Sequence, residues 1–137
     1  MTNKKLVSFD FDSTLENEHI QKYAIELMNM GYEIHIVTSR PDKWENKWEI
    51  KGLPEVIWDN DDLYEVADRL GIKRENIHFT EYTPKYKFFE RNDDFIFHLD
   101  DDYQEIDGIN SFTKTKGVSF DNTDWKMNCN EHLKLSI

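Results

Sequence analysis

Two pairs of aspartates in this chain have the type and spacing that metal-dependent chemistry requires. Asp10 and Asp12 follow the apolar run LVSF, and Asp100 and Asp101 follow the apolar run FIFHL. Carboxylates placed this close repel one another unless a cation lies between them. A structural alternative for the first pair is that Asp10 and Asp12 cap a helix or form an Asx turn.

Further polar residues follow other apolar runs. Thr38, Ser39 and Arg40 come directly after YEIHIV, and Lys85 follows Thr83-Pro84 at a predicted helix start. A lysine in the first turn of a helix is opposed by the helix dipole. Because phosphates favour helix N-termini, this placement of Lys85 indicates an anion-binding role.

The elements that must position these residues alternate between strands and helices. Apolar runs predict strands at Leu6–Phe9, Tyr32–Val37, Asn76–Thr80, Phe95–Leu99 and Gly117–Phe120, with a short one at Val56–Trp58. Helical periodicity predicts helices over 20–28, 60–70, 85–91 and 104–112, and the tail from Asp121 has no clear period and is expected to wrap the domain.

This alternation predicts a three-layer α/β/α Rossmann-like fold with a central, mainly parallel sheet. The carboxyl ends of parallel strands meet at one edge, where ligands bind. All the polar residues named above are therefore expected at that edge.

Composition limits the classes of function. The chain has 137 residues, which predicts one domain over 1–137, and a net charge of −11. Such acidity disfavours long nucleic acid and anionic membranes as partners. The lone Cys129 excludes an intramolecular disulfide, and the apolar run near the N-terminus is too short for a secretory signal. A soluble, cytoplasmic protein is expected.

The segments FDFDST, IVTS, TPK and FHLDDD occur in this order, each after the element that its role requires. Over residues 6–102 the chain therefore resembles the haloacid dehalogenase-like superfamily of phosphohydrolases. No segment is long enough for the inserted cap of many members, so the resemblance is to a small, capless type. Ser13 stands where many members carry glycine.

The resemblance implies a role for each residue. Asp10 would be the nucleophile and Asp12 the general acid and base, with Thr14 fixing the turn that holds Asp12. Mg²⁺ would be held by Asp10, the Asp12 backbone carbonyl and Asp100, with Asp101 orienting metal-bound water. Thr38 and Lys85 would bind the phosphoryl oxygens, and Ser39 and Arg40 are further candidate substrate-binding residues.

Some assignments stay open at this point. Lys87 is an alternative to Lys85, and Asp102 is an alternative to Asp100 or Asp101. Arg40 either holds a second substrate charge or pairs with a surface carboxylate. Trp44 and Trp48, four residues apart, either pack on the fold or form a platform on which a base stacks.

The function implied is hydrolysis of a phosphomonoester, a nucleotide or another small phosphoester, through an aspartyl-phosphate. One alternative is a polynucleotide 3′-phosphatase-like activity on nucleic-acid ends. Another is a non-catalytic Mg²⁺-binding scaffold. A response-regulator receiver is disfavoured because receivers place their acid pair and phosphoacceptor in a different order. The oligomeric state is left open.

Overall fold

The computed structural model describes residues 5–44 and 59–134. Strands and helices alternate along this part of the chain. The strands are β1 (Leu6–Phe9), β2 (Glu33–Thr38), β3 (Ile77–Phe79), β4 (Phe95–Asp100) and β5 (Lys116–Ser119). The helices are α1 (Glu18–Asn29), α2 (Asp61–Leu70), α3 (Tyr86–Arg91), α4 (Tyr103–Phe112) and α5 (Trp125–Leu133).

The five strands form one sheet in the order β3-β2-β1-β4-β5, and every pairing is parallel. The chain proceeds from β1 outward through β2 to β3, and it then returns to the other side of β1 for β4 and β5. The strand order thus reverses between β1 and β4. This switch point opens a crevice at the carboxyl edge of the sheet.

Helices cover both faces of the sheet. Successive side chains along β1 point to opposite faces, so each face has its own core. Val7 and Phe9 join the larger apolar core, to which α1, α2 and α5 contribute. Leu6 packs with the smaller core formed by α3, α4 and Phe95. Ser8 points to that second face, where its register partners are His35 and His98. The second face is therefore polar at the centre of the sheet.

Glycine lies at the C-terminal ends of two helices. Gly71 follows α2 with φ of +84°, and Gly31 follows the last turn of α1 with φ of +95°. Only glycine adopts this left-handed conformation without steric cost. Both turns send the chain back toward the sheet, which sets up the parallel crossovers.

The predicted α/β fold is confirmed, with a sheet that is wholly rather than mainly parallel. No inserted cap interrupts residues 5–44 or 59–134. The tail, in which the sequence shows no clear period, contains a helix that was not predicted: Trp125–Leu133 forms α5 and buries Cys129 against the larger core. Trp125 also packs edge-on against Tyr23. These contacts with α1 and the sheet stabilise a helix whose own apolar period is weak.

Two further sequence predictions concern a helix start and a short strand, and their outcomes differ. The helix predicted from Lys85 begins one residue later, at Tyr86, with Lys85 immediately before it. The expected strand at Val56–Trp58 and the residue Trp48 lie outside the described residues. Within the described part of the chain, no helix has the length and apolarity needed to span a bilayer.

Candidate active site

Asp10 and Asp100 lie side by side at the switch point of the sheet. Asp10 directly follows β1, and Asp100 is the last residue of β4. The Asp10 backbone N–H donates to the Leu99 carbonyl oxygen at 2.9 Å, which continues the pairing of the two strands to their ends. Both carboxylates are buried. Buried carboxylates are costly unless opposite charges compensate them.

Lys85 supplies the compensating charge, and its side chain is only 2% exposed. Its Nζ donates to Asp10 Oδ1 at 3.0 Å and to Asp100 Oδ2 at 2.6 Å. The Lys85 backbone N–H donates to Glu105 Oε2 at 3.2 Å, which ties the start of α3 to α4. Main chain and side chain are thus both held, and the ammonium bridges the ends of β1 and β4.

The cluster offers a set of oxygen donors for a divalent cation. Carboxylate oxygens of Asp10, Asp100 and Asp101 all lie within 4.8 Å of one another. Three carboxylates and the Lys85 ammonium leave two negative charges, which one divalent cation would balance. Mg²⁺ prefers oxygen donors of this kind. These residues therefore fit Mg²⁺.

In this cluster Asp100 and Lys85 are stabilised in their charged forms, whereas the charged form of Asp10 depends on a bound cation. Burial acts against the charge of Asp100, but the hydrogen bond from His98 and the charge of Lys85 outweigh it and lower the pKa of Asp100. Burial likewise opposes the charge of Lys85, yet Asp10 and Asp100 raise its pKa. Burial raises the pKa of Asp10 well above its usual value, with a further contribution from Asp100 and against the effect of Lys85. A bound divalent cation acts in the opposite direction and favours the charged form of Asp10.

His98 supports Asp100 from inside the fold. Its Nε2 lies 2.8 Å from Asp100 Oδ2, and its Nδ1 lies 2.8 Å from Ser8 Oγ. Burial lowers the pKa of this fully buried ring, against the influence of Asp100. A neutral ring satisfies the network when Nε2–H donates to Asp100 and Nδ1 accepts from the Ser8 hydroxyl. The other oxygen of Asp100, Oδ1, accepts the Asp102 backbone N–H at 3.0 Å.

A tight turn over Phe11–Leu15 carries Asp12 away from β1. Ser13 adopts a left-handed conformation with φ of +60°, the conformation that glycine adopts without strain. Asn17 Nδ2 donates to the carbonyl oxygens of Ser13 and Thr14 at 3.1 and 3.3 Å. The Thr14 hydroxyl is buried, and within the described residues it has no hydrogen-bond partner. Backbone hydrogen bonds and Asn17 therefore hold this turn, rather than the Thr14 side chain that was expected to.

Arg40 holds the Asp12 side chain. Its Nε and Nη2 donate to the two Asp12 carboxylate oxygens at 3.0 and 2.7 Å. The same guanidinium donates to both carboxylate oxygens of Asp62, at 2.7 and 2.9 Å, and lies 5.0 Å from the centre of the Phe11 ring. Of the two interpretations of Arg40, this geometry matches pairing with carboxylates. It also shows that one of those carboxylates belongs to Asp12.

The loop between β3 and α3 forms the rim of the site. Glu81 and Tyr82 are consecutive non-glycine residues with φ of +53° and +63°. The Tyr82 backbone N–H donates to the Ser39 carbonyl oxygen at 2.8 Å, and that of Glu81 donates to the Arg40 carbonyl oxygen at 3.3 Å. Such backbone strain persists only where surrounding contacts hold it, and it clusters at functional sites.

A cavity of about 430 Å³ lies over the cluster. Of the predicted residues, it is lined by Asp10, Asp12, Ser39, Lys85, Asp100 and Asp101. Thr38 is not on its wall: the side chain is fully buried, and its Oγ1 accepts the Arg40 backbone N–H at 3.3 Å. Thr38 therefore supports the loop after β2, while Ser39 faces the cavity.

The structure distinguishes between the alternatives that the sequence leaves open for the phosphate-binding lysine and for the second pair of aspartates. Lys85 lines this cavity, whereas Lys87 is exposed and lines a different cavity beside Phe88. Asp102 caps α4, where its side chain accepts the Gln104 backbone N–H at 2.9 Å. Asp100 and Asp101 are thus the pair that the fold brings to Asp10.

A second cavity, of about 410 Å³, adjoins the first, and Asp12, Ser39 and Tyr82 line both. Trp44 and Arg40 also line it. The Trp44 indole N–H donates to Asn60 Oδ1 at 2.9 Å. Trp44 thus lies beside the candidate site and is tied to the start of α2, an arrangement compatible with both interpretations of this residue.

Sequence reasoning missed the supporting residues His98, Ser8, Asp62 and Tyr82. A histidine and a serine at alternate positions of otherwise apolar strands carry a signal, because a polar residue on a buried face needs a partner. For Asp62 the sequence indicates only a helix start, and for Tyr82 it carries no signal of a functional role. Their roles depend on contacts between distant segments.

Comparisons with known proteins identify the fold and no family. No protein-family model matches the chain, and no curated protein matches it. A solved structure of an uncharacterized protein from Corynebacterium glutamicum is similar, with a TM-score of 0.65 over 98% of each chain at 12% sequence identity. This likeness supports the α/β architecture alone.

Proposed function

We propose that this protein is a Mg²⁺-dependent phosphohydrolase that acts on a nucleotide or another small phosphomonoester through an aspartyl-phosphate intermediate. The observation that carries the proposal is the buried cluster at the switch point, where Lys85 bridges Asp10 and Asp100 with Asp101 alongside. The resemblance of the four sequence motifs to haloacid dehalogenase-like phosphohydrolases points the same way.

In the first step, a carboxylate oxygen of Asp10 would attack phosphorus, and the phosphorus–oxygen bond to the leaving group would break. Asp12 would donate a proton to the departing oxygen. In the second step, water would attack the phosphorus of the aspartyl-phosphate. Asp12 would take the proton from that water, and inorganic phosphate and free Asp10 would be released.

Lys85 would stabilise the charge that develops on the phosphoryl oxygens, because its ammonium already touches the attacking carboxylate. Ser39 on the cavity wall would donate a hydrogen bond to the same group. Asp10, Asp100, Asp101 and the Asp12 carbonyl would hold Mg²⁺. The ion would supply charge neutralisation between the phosphate and the carboxylates.

The arrangement favours Asp10 over Asp12 as the nucleophile. Asp10 is buried within the cluster, whereas the Asp12 side chain is 51% exposed and paired with Arg40. A residue that exchanges protons with the leaving group and with water needs access to solvent. Asp12 has that access, and it lines the cavity.

The test is phosphate release from an aryl phosphate, measured with Mg²⁺ and with EDTA. Asp10→Asn, which keeps the shape but removes the nucleophile, is expected to abolish turnover. Asp107→Asn, an exposed aspartate on α4, is the matched control and should retain it. Release that survives Asp10→Asn would show that the nucleophile is wrong. Mg²⁺ binding without release from any phosphoester would favour the non-catalytic scaffold.

A further inference from the structure

We infer that the second cavity is a leaving-group subsite for a planar, uncharged ring, and that the substrate is a nucleoside monophosphate. This inference rests on the proposed function and narrows it to a substrate class. The two cavities adjoin, because Asp12, Ser39 and Tyr82 are walls of both. A phosphoryl group over Lys85 would therefore direct its leaving group past Asp12 into the second cavity.

Tyr82 is an exposed aromatic residue on the walls of both cavities. It is 70% exposed, so its side chain is accessible to a ligand in either cavity. Its left-handed backbone is fixed by the hydrogen bond from its N–H to Ser39. A tyrosine side chain has only two rotatable torsions, so it loses little conformational entropy when a second ring stacks on it.

Trp44 lines the second cavity and is anchored by a buried residue. Asn60 is 4% exposed and accepts the Trp44 indole N–H at 2.9 Å. The Asn60 amide also donates to the carbonyl oxygens of Pro41 and Asp42 at 3.0 and 3.1 Å. One buried amide thus ties the loop after β2 to the start of α2. Tyr82 and Trp44 thus place two aromatic side chains on the walls of the second cavity, and aromatic side chains stack on bases with little sequence preference.

The charged side chains that line the second cavity determine which ring-bearing substrates it can bind. The second cavity is lined by one cation, Arg40, and by three carboxylates, Asp12, Asp59 and Asp62. Arg40 is already engaged by Asp12 and Asp62. A second phosphate group would meet uncompensated negative charge, whereas the exocyclic amino group of a base can donate to Asp59. This disfavours polynucleotide ends, whose neighbouring nucleotides carry further phosphates.

The experiment compares Mg²⁺-dependent phosphate release from adenosine monophosphates, ribose 5-phosphate and adenosine 3′,5′-bisphosphate. Wild type is expected to prefer the monophosphates by about tenfold or more in kcat/KM over either other substrate. Tyr82→Ala should lower kcat/KM for the adenosine monophosphates more than for ribose 5-phosphate, and should so remove the preference over ribose 5-phosphate. Tyr82→Phe should keep it. Tyr103→Ala changes an exposed tyrosine that lines neither cavity, and it should behave as wild type.

A second experiment uses calorimetry to compare the binding of adenosine monophosphate to Asp10→Asn and to the double variant Asp10→Asn/Tyr82→Ala. Because Asp10→Asn lacks the nucleophile, this comparison tests the subsite without turnover. Weaker binding on loss of the ring supports the inference. Equal kcat/KM for all three substrates, or a Tyr82→Ala variant that keeps the preference, would overturn the subsite and leave the phosphohydrolase intact. No release from any substrate would instead overturn the proposed function.

Discussion

The Lys85 ammonium lies 2.6 Å from Asp100 Oδ2 and 3.0 Å from Asp10 Oδ1, inside the fold. This single cation joins the ends of the two strands between which the sheet reverses its order. It hydrogen-bonds two buried carboxylates, and the Asp101 carboxylate lies beside them. Stability and Mg²⁺ binding should therefore be coupled at this site.

Lys85→Met should destabilise the protein by about 3–5 kcal/mol in EDTA, because two buried carboxylates lose their common partner. Mg²⁺ should recover part of that loss, since a divalent cation compensates the same charges. Urea unfolding with and without Mg²⁺ measures both effects. The matched control is the exposed Lys87→Met, expected within about 0.5 kcal/mol of wild type. Equal losses for both variants would contradict the bridging role of Lys85.

His98→Gln should weaken Mg²⁺ binding by roughly 10- to 100-fold, because the ring fixes the orientation of Asp100. Calorimetric titration with Mg²⁺ in the absence of substrate measures this directly. His35→Gln removes another buried ring, which contacts Glu33 and His78 rather than the cluster. It should lower the thermal midpoint without changing Mg²⁺ affinity. An unchanged affinity in His98→Gln would assign His98 a purely structural role.

Arg40→Lys should lower kcat by about tenfold with little change in KM, because a lysine cannot make the paired hydrogen bonds that orient Asp12. Steady-state kinetics on the aryl phosphate separate the two parameters. Arg74→Lys alters an exposed pair with Asp68 and serves as control. A rise in KM at constant kcat would mean that Arg40 contacts the substrate directly.

The stability of the fold should fall on acidification because of His78. Burial, with a further contribution from His35, lowers the pKa of His78 to about 4. Between about pH 6.5 and 4 the unfolded chain binds a proton that the folded ring does not, so the free energy of unfolding decreases as the pH falls through this range.

His78→Gln should reduce this dependence by about 1–2 kcal/mol, a figure discounted for the partial exposure of the ring. Urea unfolding at several pH values between 7 and 4 checks it. His19→Gln, an exposed histidine on α1, should leave the dependence unchanged. A His78→Gln profile parallel to that of wild type would place the acid sensitivity elsewhere.

Local patterns in the chain are enough to predict the strands and the acidic residues that follow them. Leu6–Phe9 and Phe95–Leu99 are apolar runs ended by aspartates, and short βαβ crossovers bring parallel strands to one edge. That is why Asp10, Asp100 and Lys85 could be expected in one place. The same patterns could not predict α5, because its helix depends on packing against α1 and the sheet.

Which side chains touch was decided by the tertiary structure. The sequence favours Lys85 over Lys87 only by its place nearer the predicted helix start, whereas the structure shows Lys85 bonded to the carboxylates at the ends of β1 and β4. Thr38 turns inward, and Arg40 meets Asp62 from another element. Strand periodicity assigns a residue to a face, whereas its partner depends on which strand or loop comes to lie beside it. The pairing of His98 with Ser8 arises in this way, since β4 lies next to β1 only after the chain has passed through β2 and β3.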